Sequence, residues 1–177
     1  MVSEVLEPLS EPWQEVTTGK FVAAAVGLLV LFLVLVLDND GFIFLLDHAN
    51  LAFHEAGHPI FGFFGETLGL YGGTIGQLVF PLVAIAIFLM RREPVSFAFA
   101  GVWLFENFLN IARYMADARA QMLPLVGGGE HDWTEIFSRW HVLSHDTEIA
   151  GFVKFLGRSG MLAMGLWLAW RWYEDRR

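Results

Sequence analysis

The residues best equipped for chemistry are His54-Glu55-Ala56-Gly57-His58. On an α-helix, positions i and i+4 lie about 40° apart and one turn along, so two imidazoles at that spacing can reach one metal ion. A carboxylate beside them, Glu55, can take a proton from a metal-activated water. The chain has no cysteine, which leaves His, Asp and Glu as its available strong ligands. That ligand chemistry points to zinc, with iron or another divalent ion as the alternative.

These residues sit in an unusually oily chain. Of 177 residues, 55% are hydrophobic and 15% aromatic, while 17% are charged against roughly 25% in an average soluble protein. The mean hydropathy is +0.50. A bilayer is the solvent that reconciles these values. The net charge of −8, with no long basic run, argues against nucleic acid as a partner.

The chain reads as one membrane domain over 1–177, led by an acidic stretch 1–20 with Lys20 its single base. Phe21–Leu37 is uncharged and, as a helix, spans about 26 Å. Its acidic lead and the turn signal Asp38-Asn39-Asp40-Gly41 behind it mark a retained anchor rather than a cleaved signal. Thr74–Met90, Val95–Ala116 and about Ile149–Trp170 read as further spans. Residues 41–65 are apolar but carry Asp47, His48, His54, Glu55 and His58. They are followed by the glycine-rich run 66–73, which is poorly suited to a regular helix. The expected fold is an all-α integral membrane protein with four or five transmembrane helices around a polar metal-binding pocket.

Two topologies follow. Either 41–65 crosses the membrane, giving five spans, or it enters and turns back, giving four. The four-span version gathers Lys20, Arg91, Arg92, Arg171, Arg176 and Arg177 on one face, which makes both termini cytoplasmic. The histidines and the polar segment 117–148 then lie toward the other face.

The His54–His58 motif resembles that of the site-2-type intramembrane zinc metalloproteases, which carry H-E-x-G-H on a membrane helix. They take a third ligand from an aspartate on a later helix, and the nearest parallel here is Asp117, seven residues after Asn110. The Leu-Asp-Gly signature and the proline of that family are missing. The resemblance implies zinc on His54, His58 and Asp117, with Glu55 as base and a peptide in or near the membrane as substrate. His131 and Asp132 compete as third ligand, because the glycines at 127–129 can fold them inward.

Other polar groups read as supports. Glu106, Asn107, Asn110 and Arg113 form one inward stripe, serving either substrate or a helix-joining network. Asp47 lies about 10 Å along the helix from His54, too far to share its metal, and lines the cavity or orients ligands. His141 and His145 read as interfacial histidines or, with Asp146, as groups supporting the site. Three functions fit: a zinc metalloprotease, a zinc hydrolase of a lipid amide or ester, and a non-catalytic metal-holding subunit of a membrane complex. The sequence leaves the oligomeric state open.

The cysteine-free background makes topology testable. Single cysteines at Glu93 and Asp175 should react with an impermeant thiol reagent from the cytoplasmic side, and one at Glu130 from the other. Labelling of Glu93 and Glu130 positions from the same side would contradict both topologies.

Overall fold

The computed structural model describes residues 7–37, 43–126 and 130–177. The turn signal at 38–41 and the glycines 127–129 lie outside the described residues. The described chain is helical, with no strand among those residues. The helices are α1 (Thr18–Leu37), α2 (Phe44–Gly62), α3 (Glu66–Met90), α4 (Pro94–Ala116), α5 (Asp132–Arg139) and α6 (Asp146–Glu174).

Four helices, α1, α3, α4 and α6, are long and apolar enough to cross a membrane. Their outward side chains fit that setting: Val22, Val26, Leu29, Val30 and Phe32 of α1 are all more than half exposed. Apolar surface on that scale fits a lipid setting. Helix α2 has 19 residues but is not among the four, because Asp47, His48, His54, Glu55 and His58 interrupt its apolar run.

The glycine-rich run departs from the sequence expectation. Instead of an irregular stretch, residues 66–73 open α3 as regular helix and lengthen the span that the sequence started at Thr74. The reason lies in packing. A Cβ on Gly57 would stand 2.0 Å from the Gly72 carbonyl oxygen, and one on Gly76 would stand 2.5 Å from the Phe53 carbonyl oxygen. Backbone meets backbone along these positions, so the glycines serve helix contact rather than irregularity. The intervening turn needs a glycine for a different reason: Gly65 has φ +124°, outside the range of ordinary L-residues. Phe53 stacks on Phe80 at 3.8 Å between ring centroids, tying α2 to the middle of α3.

Contacts gather the chain into two compact units. The first comprises residues up to 42, 81–104 and 159–177. There Val16, Ala24, Ala98 and Leu168 form the buried core, and the Val16 amide donates to Asp175 at 2.9 Å. Trp13 meets the edges of Phe97 and Trp167. The second unit, 43–80 and 105–158, contains every histidine of the chain. Its core is Ile111, Met115, Ala118, Trp133, Ile136, Phe137 and Ala150. Short α5 has a strongly one-sided apolar face, and Trp133, Ile136 and Phe137 bury that face. This fixes where its first residue, Asp132, points.

The close approach of α2 and α3 gives a sharp contrast between two alanines. Gly57→Ala should destabilise the folded protein by about 1–3 kcal/mol or more, the usual cost of overpacking. Gly62→Ala, whose Cβ would sit an ordinary 3.7 Å from Gly69, should be neutral or gain up to about 1 kcal/mol of helix propensity. Thermal unfolding in detergent, followed by circular dichroism, separates them. Equal losses for both would contradict the packing account.

Candidate metal centre

Helix α2 places His54 and His58 on one face, one turn apart, as their spacing requires. Asp132 reaches them from the start of α5. His54 Nε2 lies 2.9 Å from Asp132 Oδ2, His58 Nε2 lies 3.2 Å from the same oxygen, and the two Nε2 atoms are 3.3 Å apart. Ligand atoms of a tetrahedral zinc with bonds of about 2.0–2.1 Å stand about 3.3 Å from one another. The group His54, His58 and Asp132 could therefore hold a metal ion, and its donor set suits one.

The surroundings fix the donors. His58 Nδ1 lies 2.8 Å from the Gly69 carbonyl oxygen. A carbonyl only accepts, so Nδ1 carries the hydrogen and Nε2 is the atom turned to the ligand position. Gly73 leaves room for the rings. A Cβ there would stand 2.5 Å from His54 Nε2 and 2.7 Å from His58 Nε2. Asp132 is held from its own side: its amide donates to the Tyr114 hydroxyl at 3.1 Å. His131 caps α5, with Nδ1 accepting from the Thr134 amide at 3.3 Å. The Thr134 hydroxyl donates to the Ala118 carbonyl.

The electrostatics follow from that geometry. The hydrogen bond that His58 donates to the Asp132 carboxylate raises the His58 pKa to about 9 against the opposing effect of burial, with the Gly69 carbonyl helping. For Asp132, burial pushes upward, but the hydrogen bonds and charges of His54 and His58 outweigh it and hold the carboxyl at about 2. Burial pushes His131 down, in spite of Asp117 and Asp132 nearby. His131 thus stays a neutral cap.

Asp117, the first choice for third ligand, stands elsewhere. Its two oxygens accept the Met122 and Leu123 amides at 2.9 and 3.0 Å, and it faces His131 Nε2 at 3.5 Å. It closes the turn after α4, so the structure puts Asp132 rather than Asp117 or His131 beside the two histidines. The physical reason is local. The Met122 and Leu123 amides, in the turn that follows α4, claim the Asp117 carboxylate, whereas the buried apolar face of α5 carries Asp132 inward.

The polar stripe of α4 forms a network with α2. Asn50 donates to Glu106 at 2.9 Å, Asn107 donates to the Asn50 side-chain oxygen at 3.2 Å, and Asn110 donates to Asp47 at 2.6 Å. Asp47 also accepts the Ile43 amide at the start of α2. Asp47, Asn50, Glu106 and Asn107 are buried. They join the helices and orient α2; none of them lines the cleft at the metal group. His145 and Asp146 are not brought there either. His145 is exposed and pairs with Glu148 at 3.0 Å, while buried Asp146 binds Arg119 at 2.7 Å.

His54, His58 and Asp132 open on a cleft of about 490 Å³, lined also by Glu55, Glu66, Leu70, Tyr114, Leu125, Val126, Glu130 and Glu135. Glu55 is half-buried on its wall. The sequence reading missed Tyr114, Gly69, Gly73 and Glu66 as parts of this site. Tyr114 has a sequence signal, lying four residues beyond Asn110 on the stripe side of α4. Gly69 contributes only a carbonyl and Gly73 only space, which no side-chain pattern announces. Comparison with known protein families, with curated proteins and with solved structures finds no match for this chain.

Proposed function

We propose that the chain is a membrane-embedded, zinc-dependent hydrolase that cleaves peptide bonds in or near the membrane. The observation that supports this most is the convergence of three ligand atoms at 2.9–3.3 Å on the wall of a cleft that also holds Glu55. Three protein ligands with an open side are the arrangement of catalytic zinc, whereas a structural zinc is closed by four. That openness favours an enzyme over a metal-holding subunit.

When bound, zinc supplies Lewis acidity and a water acidified toward neutral pH. The protein supplies the rest. Glu55 has no ion-pair or hydrogen-bond partner among the described residues, so its carboxylate is available as proton acceptor and then as donor to the leaving group. The Tyr114 hydroxyl accepts the Asp132 amide and keeps its own hydrogen to donate to charge developing on the substrate oxygen. The buried amide and carboxyl network behind α2 holds the histidines in register. The choice of a peptide as substrate rests on the motif shared with site-2-type proteases, and the apolar spans supply the setting. Both termini on the cytoplasmic face complete this reading, from the charge bias of the termini and of Arg91 and Arg92.

Zinc content and peptide hydrolysis of the purified protein test the proposal together. Glu55→Gln should retain zinc and lower turnover by about 10²–10⁴, the usual contribution of a general base. His54→Ala and Asp132→Asn should lose zinc, while Asp117→Asn keeps it. Gly73→Ala should keep the helical spectrum yet weaken zinc binding at least about tenfold, because the new methyl group displaces both rings. Zinc retained by Asp132→Asn and lost by Asp117→Asn would overturn the ligand assignment.

Metal uptake should also depend on pH with a defined sign. The metal-free His58 holds its proton up to about 9, and zinc needs the neutral ring. Uptake near pH 7 should therefore release a proton, and apparent affinity should fall about tenfold per pH unit as pH decreases below 9. Calorimetry in buffers of different ionisation enthalpy counts that proton. Uptake without proton release would show that His58 is not a ligand.

A further inference from the structure

Around the metal group, the cleft is lined by five carboxylates and by no lysine or arginine. They are Glu55, Glu66, Glu130, Asp132 and Glu135. Two of the five are already answered. Asp132 faces the two histidines, and Glu135 pairs with Arg139 at 2.8 Å. Glu55 is the proton acceptor of the proposed reaction. Glu66, at the first position of α3, and Glu130, just before α5, remain with no cation or hydrogen-bond donor among the described residues. The rest of the wall is aliphatic, from Leu70, Leu125 and Val126, with the Tyr114 ring beside His54 at 5.7 Å between centroids.

A group entering this cleft meets the candidate metal ligands and the exposed, unanswered carboxylates of Glu66 and Glu130 on the same wall. A phosphate or a free carboxylate would gain at the metal but suffer repulsion from Glu66, Glu130 and Glu55 together. An ammonium or guanidinium group finds the opposite field, and its aliphatic stem matches Leu70, Leu125 and Val126. We infer that the cleft selects a peptide carrying a lysine or arginine side chain next to the bond presented to the metal group, with Glu66 and Glu130 receiving the positive charge. This specificity rests on the metal-centre reading above and assigns it a substrate class.

Three short apolar peptides capped with a metal-binding hydroxamate test it, identical except for one residue: lysine, norleucine or glutamate. Their binding to the zinc-loaded full chain in non-ionic detergent is measured by calorimetry. The lysine probe should bind about tenfold tighter than norleucine, and the glutamate probe weaker than norleucine by a similar factor. In Glu66→Gln/Glu130→Gln, zinc content should stay at the wild-type level while the three probes converge to within about twofold. High salt should narrow the wild-type spread in the same direction. Equal binding of lysine and norleucine probes, or a lysine preference that survives in the double variant, would overturn the inference while leaving the metal centre standing. Binding of the hydroxamates that is no stronger with zinc than without it would instead remove the metal centre, and this specificity with it.

Discussion

The arrangement depends on one carboxylate between two imidazoles. Asp132 is almost wholly inside the protein, where a bare charge is costly, and His54 and His58 both turn their Nε2 atoms to it. Each partner makes the others tolerable. Removing one member of such a buried charged group typically costs about 3–5 kcal/mol, because the remainder is left uncompensated. A divalent cation would relieve the same group more fully, since it would answer the carboxylate and needs neutral imidazoles.

Two packing solutions bring these three residues together. Helix α2 lies so close to α3 that the backbone at Gly57 meets the backbone at Gly72, and Gly73 gives the rings their space. Helix α5 is only eight residues long, too short to stand alone. It is held by Trp133, Ile136 and Phe137 in the core, by the His131 cap and by the Tyr114 hydroxyl. The Asp132 carboxylate is therefore carried by a tertiary anchor rather than by the rigidity of a long helix.

Much of this was legible in the residues themselves. The span at 74–90 follows from uninterrupted apolar length, that at 95–116 from apolar length broken only by its one-sided polar stripe, and the His54–His58 pair from helical spacing. The inward stripe of Glu106, Asn107 and Asn110 was readable because polar groups at membrane depth need one another. Three features were not. Glycine at 69, 72, 73 and 76 has the same local signal whether it breaks a helix or lets another helix approach, and only what each meets on α2 decides: Gly62 for Gly69, Gly57 for Gly72 and Gly76, the two imidazoles for Gly73. Asp117 and Asp132 are chemically equal as ligands, and the difference is which backbone amides each one meets in three dimensions. Glu66 and Glu130 look like ordinary surface acids until the cleft between them is seen.

Zinc-edge X-ray absorption of the zinc-loaded protein reads the atoms around the metal directly. A four-coordinate zinc with light-atom ligands at about 2.0–2.1 Å, two of them showing the outer-shell pattern of imidazole, is the expected coordination. In Asp132→Asn the imidazole pattern should weaken or the zinc should be lost. A six-coordinate, all-oxygen zinc with no imidazole signature, or a spectrum unchanged by Asp132→Asn, would contradict the ligand assignment.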